Sequence, residues 1–331
     1  MRIDVCGATA CLLIATLIVA GCGTAPGRPT APAATSTSAS RLTSMSPDQG
    51  WAGLDGPVTG GAEARAEHIY RVRNRAELVA ALSGGGSRHS RDTPKVVYVE
   101  GSIDLSVDAQ NRPLTEVDYR DAEFSWDAYA KAYDPSIWGK TAPSGTQEAA
   151  RRRSAERQAA VVVIPVGSNT SLIGVGRDAL IKHGNLMVRD AHNVIIRNIT
   201  FEDAYDYFPA WDPKDNANGE WNAEYDNVTL VNARRVWIDR CTFSDGARPD
   251  RINRSLFGRP MQFHDGLLDI IRGSDLVTVS YNHFKNHDKG LLIGNSDSRA
   301  DDEGKLRVTM HHNWFEDVKE RSPRVRYGRV H

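Results

Sequence analysis

The chain has 331 residues, of which 40% are hydrophobic and 25% are charged, and its 41 Lys and Arg residues nearly balance its 42 Asp and Glu residues. This composition is typical of a globular protein with enough apolar material for a core in one large domain or two. The formal net charge of −1 gives no global argument for binding to nucleic acid or to a membrane surface, and no nucleic-acid partner is expected.

The N-terminal segment predicts export. Arg2 precedes an apolar run over residues 5–20, which is too short to span a membrane as a helix. The run ends in the letters LIVAGC, with Cys22 last, and this ending resembles the lipobox of bacterial lipoproteins, in which the cysteine becomes the lipidated first residue. We therefore predict a signal peptide over residues 1–22, a lipid anchor at Cys22, and a protein that is secreted or attached to the bacterial cell envelope.

The exported part is predicted to consist of a linker and one domain. Residues 23–46 are rich in Thr, Ala, Pro and Ser, which is typical of a flexible tether, and the domain follows over residues 47–331. Cys241 is the one cysteine of that domain and has no partner within it. No internal disulfide is therefore expected, and packing or a metal must hold the domain together.

The first part of the domain predicts a helix, a strand and a surface excursion. Residues 75–83 (RAELVAALS) are typical of a short helix that ends at the glycines that follow. Residues 95–100 (KVVYVE) predict a buried strand. Residues 118–158 are polar and aromatic without strand periodicity, so we expect an excursion on the surface, with a helix over 147–158.

A repeat dominates the chain from residue 161 onward. Four segments share the pattern V-x-Φ-x-x-x-x-F, where Φ is apolar: residues 194–201 (VIIRNITF), 236–243 (VWIDRCTF), 277–284 (VTVSYNHF) and 308–315 (VTMHHNWF). Their starts lie 42, 41 and 31 residues apart, so similar short strands alternate with loops of varied length. We predict an all-β protein, a right-handed parallel β-helix with an N-terminal capping helix over residues 75–83 and long surface loops.

Stacking of identical positions also explains several polar residues without a catalytic role. Cys241 and the phenylalanine that ends each repeat are expected to be stacked core residues. Asn198, Asn282 and Asn313 recur near one position and are expected to form turn ladders.

Four acidic residues are candidates for a metal site. Asp226 precedes one repeat strand, and Asp265 and Asp269, which lie 39 and 43 residues later, precede the next. In a β-helix all three could face one groove, where clustered carboxylates are tolerable around a hard cation such as calcium. Glu224 would point the same way along a strand and is a candidate fourth ligand. Each aspartate is by itself equally explained as a turn cap.

Basic residues follow the acidic ones along the chain. Lys289 lies in the middle of the stretch from residue 264 to residue 327, and Arg321, Arg324 and Arg326 lie at its end. Acidic residues first and basic residues last, with β-type segments between them, predict a site that holds a cation and an anionic ligand together. A run of basic residues is otherwise often only a solvated face.

The chain resembles the family 1 pectate lyases of bacteria over nearly all of its exported length. The letters WNAEYDNVTL, VWIDRCTFSDG, HDGLLD, HDKGLLIGNSDS and ERSPRVRYG match motifs of that family in order and in spacing. The resemblance implies that Asp226, Asp265 and Asp269 are calcium ligands. It also implies that Arg321 is the catalytic base and that Lys289 and Arg326 bind substrate carboxylates.

The implied reaction is calcium-dependent β-elimination on α-1,4-polygalacturonate (pectate), which leaves 4,5-unsaturated oligogalacturonides. Calcium would draw charge from a uronate carboxylate and acidify the proton on C5, which Arg321 removes. Arginine is normally protonated, but packing among Arg324, Arg326 and calcium would disfavour the charged form, so activity favoured by alkaline pH is expected. A monomer that binds this polysaccharide is expected.

Two features depart from the pattern of the family. After WID the family usually has His, whereas this chain has Arg240. If the residue at that position has only a structural role, the difference should affect only its immediate surroundings. The family continues beyond the position of His331 into further coils and a C-terminal cover. We therefore predict that the domain over residues 47–331 lacks C-terminal coils and that the sequence is a fragment.

Three other functions are open at this point. A pectin lyase has the same fold and acts on methylated polymer without calcium, but the three aspartates argue against it. A polygalacturonase hydrolyses with paired carboxylates and would not need Arg321. A pectate-binding envelope lipoprotein, inactive through truncation, would bind the polymer without cleaving it.

Overall fold

The computed structural model describes residues 50–84 and 90–331. The predicted signal peptide, the lipid anchor at Cys22 and the linker over residues 23–46 lie outside the described residues. Within the described ranges, no helix combines the length and the apolar character that crossing a membrane requires.

The described chain is mainly β-structure with a few helices. The α-helices are α1 Arg75–Leu82, α2 Glu116–Tyr119, α3 Trp126–Ala132, α4 Pro135–Trp138 and α5 Thr146–Val162. The strands are β1 Ile69–Val72, β2 Lys95–Asp104, β3 Val163–Val166, β4 Thr170–Lys182, β5 Asn185–Arg189, β6 His192–Arg197, β7 Thr200–Glu202, β8 Ala210–Asp212, β9 Glu220–Asn222, β10 Val228–Val231, β11 Arg234–Asp239, β12 Thr242–Ser244, β13 Ser255–Leu256, β14 Arg259–Pro260, β15 Gly266–Ile271, β16 Asp275–Ser280, β17 His283–Ile293, β18 Arg307–His311, β19 Trp314–Glu320, β20 Arg324–Val325 and β21 Arg329–Val330.

The strands form three parallel sheets around one core. Sheet 1 contains β1, the first parts of β2 and β4, then β6, β11, β16, β18 and β21. Sheet 2 contains the second parts of β2 and β4, then β7, β12, the first part of β17, and β19. Sheet 3 contains β3, β5, β10, β15, the second part of β17, and β20. Successive coils visit all three sheets, which confirms the predicted right-handed parallel β-helix.

The repeat produces ladders of like side chains inside the coils. In sheet 1, Val194, Val236, Val277 and Val308 occupy one register position. In sheet 2, the phenylalanines that end the four repeats stack with ring centroids 4.9–5.2 Å apart. Identical side chains on parallel strands meet because each coil repeats the geometry of the coil before it. The predicted core role of these residues and of Cys241, which is 1% exposed, is confirmed.

The turn between sheets 1 and 2 corrects one part of the asparagine prediction. Asn282 and Asn313 form the expected ladder, because the side-chain oxygen of Asn313 accepts hydrogen bonds from both nitrogens of Asn282 at 3.0 and 3.1 Å. Cys241 takes the same position one coil earlier. Asn198 lies one position before it, at a site of positive φ that Arg240 shares (φ 56° and 53°). Asparagine suits this backbone conformation, and its side chain donates hydrogen bonds to the carbonyls of Gly174 and Gly176 at 2.9 and 3.0 Å instead of bonding to another asparagine.

Arg240, which stands where the family usually has His, lies on the surface of this turn. Its guanidinium pairs with Asp239 and lies 4.7 Å from the centroid of the Tyr281 ring in the next coil. Both contacts are local to the turn, as the sequence suggested.

Helix α1 covers the N-terminal end of the core. The side chain of Asn74 accepts a hydrogen bond from the backbone N–H of Glu77 at 3.0 Å and so begins the helix. Leu78, Ala81 and Leu82 are buried in the central core. This confirms the predicted capping helix, which ends at Leu82.

The surface excursion builds a second, aromatic core outside the coils. Its helix, α5, is longer than predicted, and Tyr129, Phe208 and Trp221 are buried beside it with exposures of 0%. The excursion is therefore packed against the coils and does not lie loosely on them.

In the coil nearest the C-terminus, Val325 and Val330 occupy core ladder positions but remain 41% and 39% exposed.

Candidate active site

Three carboxylates from neighbouring coils of sheet 3 meet at one point. Asp226 lies two residues before β10, Asp265 lies immediately before β15, and Asp269 lies within β15. Strands β10 and β15 pair in parallel, with Thr229 opposite Asp269, so residues 40 apart in sequence become neighbours. One oxygen atom of each carboxylate lies within 4.8 Å of the other two. The structure thus brings these three predicted residues together.

The cluster has the features of a site for a hard cation. Asp226 is 4% exposed and is held by hydrogen bonds from the Thr229 hydroxyl at 2.6 Å and the Gly266 backbone N–H at 2.8 Å. Asp269 is also 4% exposed, and its Oδ1 has no hydrogen-bond partner. A buried, unpaired carboxylate oxygen is costly unless a cation or another donor reaches it.

Gly266 keeps the space between the carboxylates free. A Cβ atom at this residue would lie 2.7 Å from Oδ1 of Asp226 and 2.7 Å from Oδ1 of Asp269. Any side chain would therefore fill the point on which the oxygens converge. Sequence reasoning missed this glycine, although it stands inside the motif HDGLLD.

Mutual repulsion and burial perturb the acidity of the cluster. Burial, with the neighbouring carboxylate of Asp265, raises the pKa of Asp226 to about 7. Burial and the carboxylates of Asp226 and Asp265 also raise the pKa of Asp269 well above its ordinary value. The charges of Arg321 and Lys289 oppose the shift at Asp269 without cancelling it, so a bound cation would relieve the remaining repulsion.

Two basic side chains lie against the exposed side of the cluster. Lys289, in β17, is in register with Gly266 on one side and Glu320 on the other, so its position follows directly from the coil. Its Nζ atom lies 3.2 Å from Oδ1 of Asp265, and a terminal nitrogen of Arg321 lies 3.7 Å from the same oxygen. One aspartate oxygen therefore faces both cations.

Arg321 is held by the backbone that surrounds it. It has a positive φ of 60°, and its carbonyl accepts a hydrogen bond from the N–H of Leu291 at 2.5 Å. A Cβ atom at Gly290 would lie 2.8 Å from that carbonyl, so glycine is needed for the two coils to approach. The Nε atom of Arg321 is buried and has no hydrogen-bond partner, although a carboxylate oxygen of Glu320 lies 3.7 Å away.

These basic residues line an open groove of about 660 Å³. Lys289, Arg321 and Arg324 contribute to its wall, and Arg251 and Asn253 contribute from the loop before β13. No ion pair of Arg324 or Arg251 occurs within the described ranges. The groove is also lined by Asp215, Glu220, Asp250, Asp288 and Glu320, so its charge is mixed, and Arg251 and Arg324 are the cations that an anionic ligand would meet.

The other two predicted site residues lie apart from this arrangement. Arg326 donates hydrogen bonds to Asp297 at 2.9 Å and to the carbonyl of Gly294 at 3.2 Å, so it is anchored to the loop between β17 and β18. Glu224 lies outside the group of three carboxylates whose oxygens fall within 4.8 Å of one another, although burial and the charge of Asp265 raise its pKa, so its role as a fourth ligand stays a prediction. It lies between β9 and β10, outside any strand, so the alternation on which the expectation depended does not apply, and it lines a separate cavity with Arg151.

A buried histidine fixes the backbone that carries Asp265. His287 is 3% exposed, and its Nε2 donates a hydrogen bond to the carbonyl of Asp265 at 2.8 Å. Its Nδ1 lies 2.5 Å from a carboxylate oxygen of Asp245. Sequence reasoning missed these contacts, since His287 lies 22 residues from Asp265 and 42 residues from Asp245 in the chain. Only the stacking of the coils brings the three residues together.

A second acidic group next to it contains a histidine and is already satisfied. Asp245, Asp250 and His264 lie close enough to hold a metal. However, Nδ1 of His264 bonds to Asp250 and Nε2 bonds to Asp203, both at 2.9 Å, so neither nitrogen is free. Burial lowers the pKa of His264, but its hydrogen bonds to Asp203 and Asp250 outweigh burial and raise the pKa to about 10. The group therefore acts as a hydrogen-bonded brace.

Comparisons with known proteins agree with this architecture. The sequence model of a family described as Pectate lyase matches residues 10–124 and 122–331. The chain is 46% identical over 284 residues to a pectate lyase of Bacillus subtilis (strain 168), an alignment that covers 86% of this chain and 66% of the relative. It is 38% identical over 283 residues to pectate lyase E of Dickeya dadantii (strain 3937), covering 85% of this chain and 58% of that relative. The chain thus spans slightly under two thirds of the length of these curated relatives.

Solved structures give the same result. A mutant of the Bacillus subtilis pectate lyase superposes with a TM-score of 0.84 at 45% identity, covering 88% of this chain and 72% of that one. A pectate lyase bound to a hexasaccharide superposes equally well, with the same TM-score, identity and coverage. The match extends over the coils that carry the carboxylate cluster and the groove, and the chain belongs to the pectate lyase family.

Proposed function

We propose that this protein cleaves polygalacturonate (pectate) by β-elimination and releases 4,5-unsaturated oligogalacturonides. The observation that carries the proposal is the contact of a carboxylate cluster with two cations that line the adjoining groove, since Oδ1 of Asp265 lies 3.2 Å from Lys289 and 3.7 Å from Arg321. Membership of the pectate lyase family and the likeness to a lyase bound to a hexasaccharide support it.

The proposal includes calcium as the cofactor. Asp226, Asp265 and Asp269 would hold it, since their oxygens converge on the space that Gly266 leaves open. When bound there, calcium would draw electron density from a uronate carboxylate and make the proton on C5 more acidic.

In the proposed reaction, Arg321 is the base. A guanidine nitrogen takes the C5 proton, a double bond forms between C4 and C5, and the C4–O bond breaks, so the released oxygen carries away the electron pair. Lys289, Arg324 and Arg326 would bind carboxylates of the substrate, and the free charge of Arg324 in the groove supports this role best. Arg326 would have to leave Asp297 or bind alongside it. Since a neutral guanidine is needed, activity should increase toward alkaline pH.

The setting of the reaction is proposed from the sequence. We infer a protein that is exported, either secreted or anchored through lipid at Cys22, and that acts as a monomer on extracellular polysaccharide without a nucleic-acid partner. A pectin lyase, which needs no calcium, is disfavoured by the buried carboxylates of Asp226 and Asp269, because without a bound cation their negative charges would stay uncompensated.

Ultraviolet absorbance tests the proposal, because the 4,5-unsaturated product absorbs and a hydrolysis product does not. The whole protein is incubated with polygalacturonate at pH 4 to 10, with calcium or with EDTA, and Arg321→Ala is tested in parallel. We expect absorbance that requires calcium, increases with pH and is absent in the variant. An optimum near pH 5 would exclude Arg321 as the base. Retained binding without any absorbance would indicate a pectate-binding module, and reducing ends without absorbance would indicate a polygalacturonase.

A further inference from the structure

A second cavity opens next to the groove and has a different lining. Its volume is about 360 Å³, which is within the range of small-molecule sites. Asn253 lines both the groove and this cavity, so the two adjoin at that residue. None of the residues proposed to bind calcium or to remove the proton lines the second cavity.

The wall of the second cavity is a stack of aromatic rings and guanidinium groups. The rings of Tyr205 and Phe263 are parallel within 12°, with centroids 4.9 Å apart. The guanidinium of Arg248 lies 3.7 Å from the Tyr205 centroid, and that of Arg254 lies 5.9 Å from the Phe263 centroid and 5.0 Å from that of Trp126. Aromatic faces hold a guanidinium in place while its N–H edge stays available for hydrogen bonds.

The two arginines differ in charge compensation. Arg248 donates to Asp203 at 2.8 Å and to the hydroxyl of Tyr207 at 3.3 Å, so its charge is largely neutralised. Arg254 is exposed, and no ion pair of its guanidinium occurs within residues 50–84 and 90–331. The acidic residue of the lining, Glu116, lies 4.0 Å from Arg120. The cavity therefore presents one uncompensated cation, which stacked aromatic rings hold in place.

We propose that this cavity is a distal subsite for a uronate unit of the polysaccharide, with Arg254 as the residue that binds its carboxylate. A planar guanidinium binds a carboxylate through two parallel hydrogen bonds, and the rings that surround Arg254 hold its guanidinium in place. The inference rests on the proposed function, since it assumes an acidic polymer in the groove. A chain that leaves the groove over Asn253 enters the cavity, so the subsite is filled only by longer oligomers.

Binding without cleavage tests the subsite. Hexagalacturonate and digalacturonate are titrated calorimetrically into the whole protein in EDTA, and the wild type is compared with Arg254→Ala. We expect the variant to bind hexagalacturonate at least about fivefold more weakly, because a charge-assisted hydrogen bond is lost. Digalacturonate should bind equally to both proteins. Equal affinity of the two proteins for hexagalacturonate, or absence of its binding to the wild type, would overturn the proposal.

Two further variants separate the subsite from a general charge effect. Arg254→Lys keeps the charge without the planar fork, so we expect an affinity between those of the wild type and Arg254→Ala. Arg177→Ala removes an exposed arginine of β4 that lines neither cavity, and we expect no change in affinity. An equal loss in Arg177→Ala would show that only net charge matters and would overturn the subsite.

Kinetics then distinguish the subsite from the proposed reaction. With polygalacturonate and calcium, Arg254→Ala should raise KM at least about fivefold and leave kcat unchanged, since the reacting atoms lie elsewhere. If the wild type binds hexagalacturonate through Arg254 but forms no unsaturated product, the proposed function fails and the subsite stands. If the wild type is active and KM does not change in the variant, the subsite fails and the proposed function stands.

Discussion

Asp269 carries the least satisfied charge of the carboxylate cluster. Its Oδ1 is buried without a hydrogen-bond partner, whereas both oxygens of Asp226 accept hydrogen bonds. Two other carboxylates lie within 4.8 Å of it, so without a cation its negative charge is repelled and poorly solvated. The residue is well suited to bind a cation and is unfavourable for the stability of the protein without one.

We therefore predict opposite effects of Asp269→Asn with and without calcium. In EDTA at pH 8 the variant should melt at a higher temperature than the wild type, by about 2 °C or more, because one repelling charge is gone. In calcium the wild type should gain stability through binding, whereas the variant should gain none. Differential scanning calorimetry of both proteins in both buffers gives the four melting temperatures. A variant that melts lower than the wild type in EDTA would contradict the predicted repulsion.

Gly266→Ala provides the matched control for this prediction. It keeps all three charges but places a methyl group 2.7 Å from two of the oxygens. The variant should lose the stabilisation by calcium and show no rise of melting temperature in EDTA. If the melting temperatures of both variants in EDTA are higher than that of the wild type, the effect of Asp269→Asn does not come from charge.

The site residues differ in how far the sequence could predict them. The spacing of Asp226, Asp265 and Asp269 equals about one coil, so a repeat alone brings them together. The prediction for Glu224 depended on strand alternation, which does not apply to a segment that is not a strand, so its role as a ligand stays a prediction. The contact of His287 with the Asp265 carbonyl was not predictable, since it depends on the register of three coils and on a backbone atom.

At the scale of the elements, the phenylalanine ladder of sheet 2 links successive coils. The ring of Phe243 is 0% exposed and lies between those of Phe201 and Phe284, at centroid distances of 5.2 and 5.0 Å. Because each coil contacts mainly its neighbours, one ring contributes to two interfaces between coils.

We predict that Phe243→Ala lowers the free energy of unfolding by about 3–5 kcal/mol, since it leaves a cavity in a closely packed ladder. Urea unfolding followed by circular dichroism measures the loss. Ile137→Ala, which truncates an 84% exposed side chain of α4, should change the free energy by less than about 0.5 kcal/mol. A loss below about 1 kcal/mol in Phe243→Ala would show that the ring does not support both neighbours.

The elements also show why the fold was only partly predictable. Sheets 1 and 2 coincide with the repeated pattern, whose valine and phenylalanine fix the register of both strands. Sheet 3 carries no shared motif, because its outward positions change from Thr229 to Asp269, Leu292 and Arg324 along one ladder. Those are the positions that build the site, so the requirements of the site remove the sequence regularity there. The aromatic core of the excursion has no periodicity at all.

At the scale of the whole molecule, one buried lysine stands in a ladder of core residues. Lys95 is 0% exposed and shares its register position with Thr170 and then Val194 in the following coils. Its Nζ donates a hydrogen bond to the carbonyl of Arg91 at 2.5 Å. Burial lowers the pKa of Lys95 to about 8, although the charge of Asp92 opposes the shift.

This lysine should make the stability of the whole molecule depend on pH. The folded protein loses the proton of Lys95 near pH 8, whereas the unfolded chain keeps it up to about pH 10.4. The unfolded state therefore binds more protons between these values, so the contribution of Lys95 to stability rises as pH increases from 8 to 10.4 and is constant and unfavourable below 8. At about 1.4 kcal/mol per pH unit, the cost at neutral pH is about 3 kcal/mol.

We predict that Lys95→Met removes this dependence, because an uncharged chain of similar length continues the apolar ladder. The difference in free energy of unfolding between Lys95→Met and the wild type should be largest in favour of the variant at pH 7 and should shrink steadily from pH 8 to pH 10.4. Urea titrations at five pH values measure it, and only the difference is interpreted, since other groups titrate in the same range. Lys131→Met, at an exposed position of α3, should give a difference that does not vary with pH. A difference that is constant over pH for Lys95→Met as well would mean that the buried amine keeps its proton in the folded protein and that the hydrogen bond to Arg91 offsets burial.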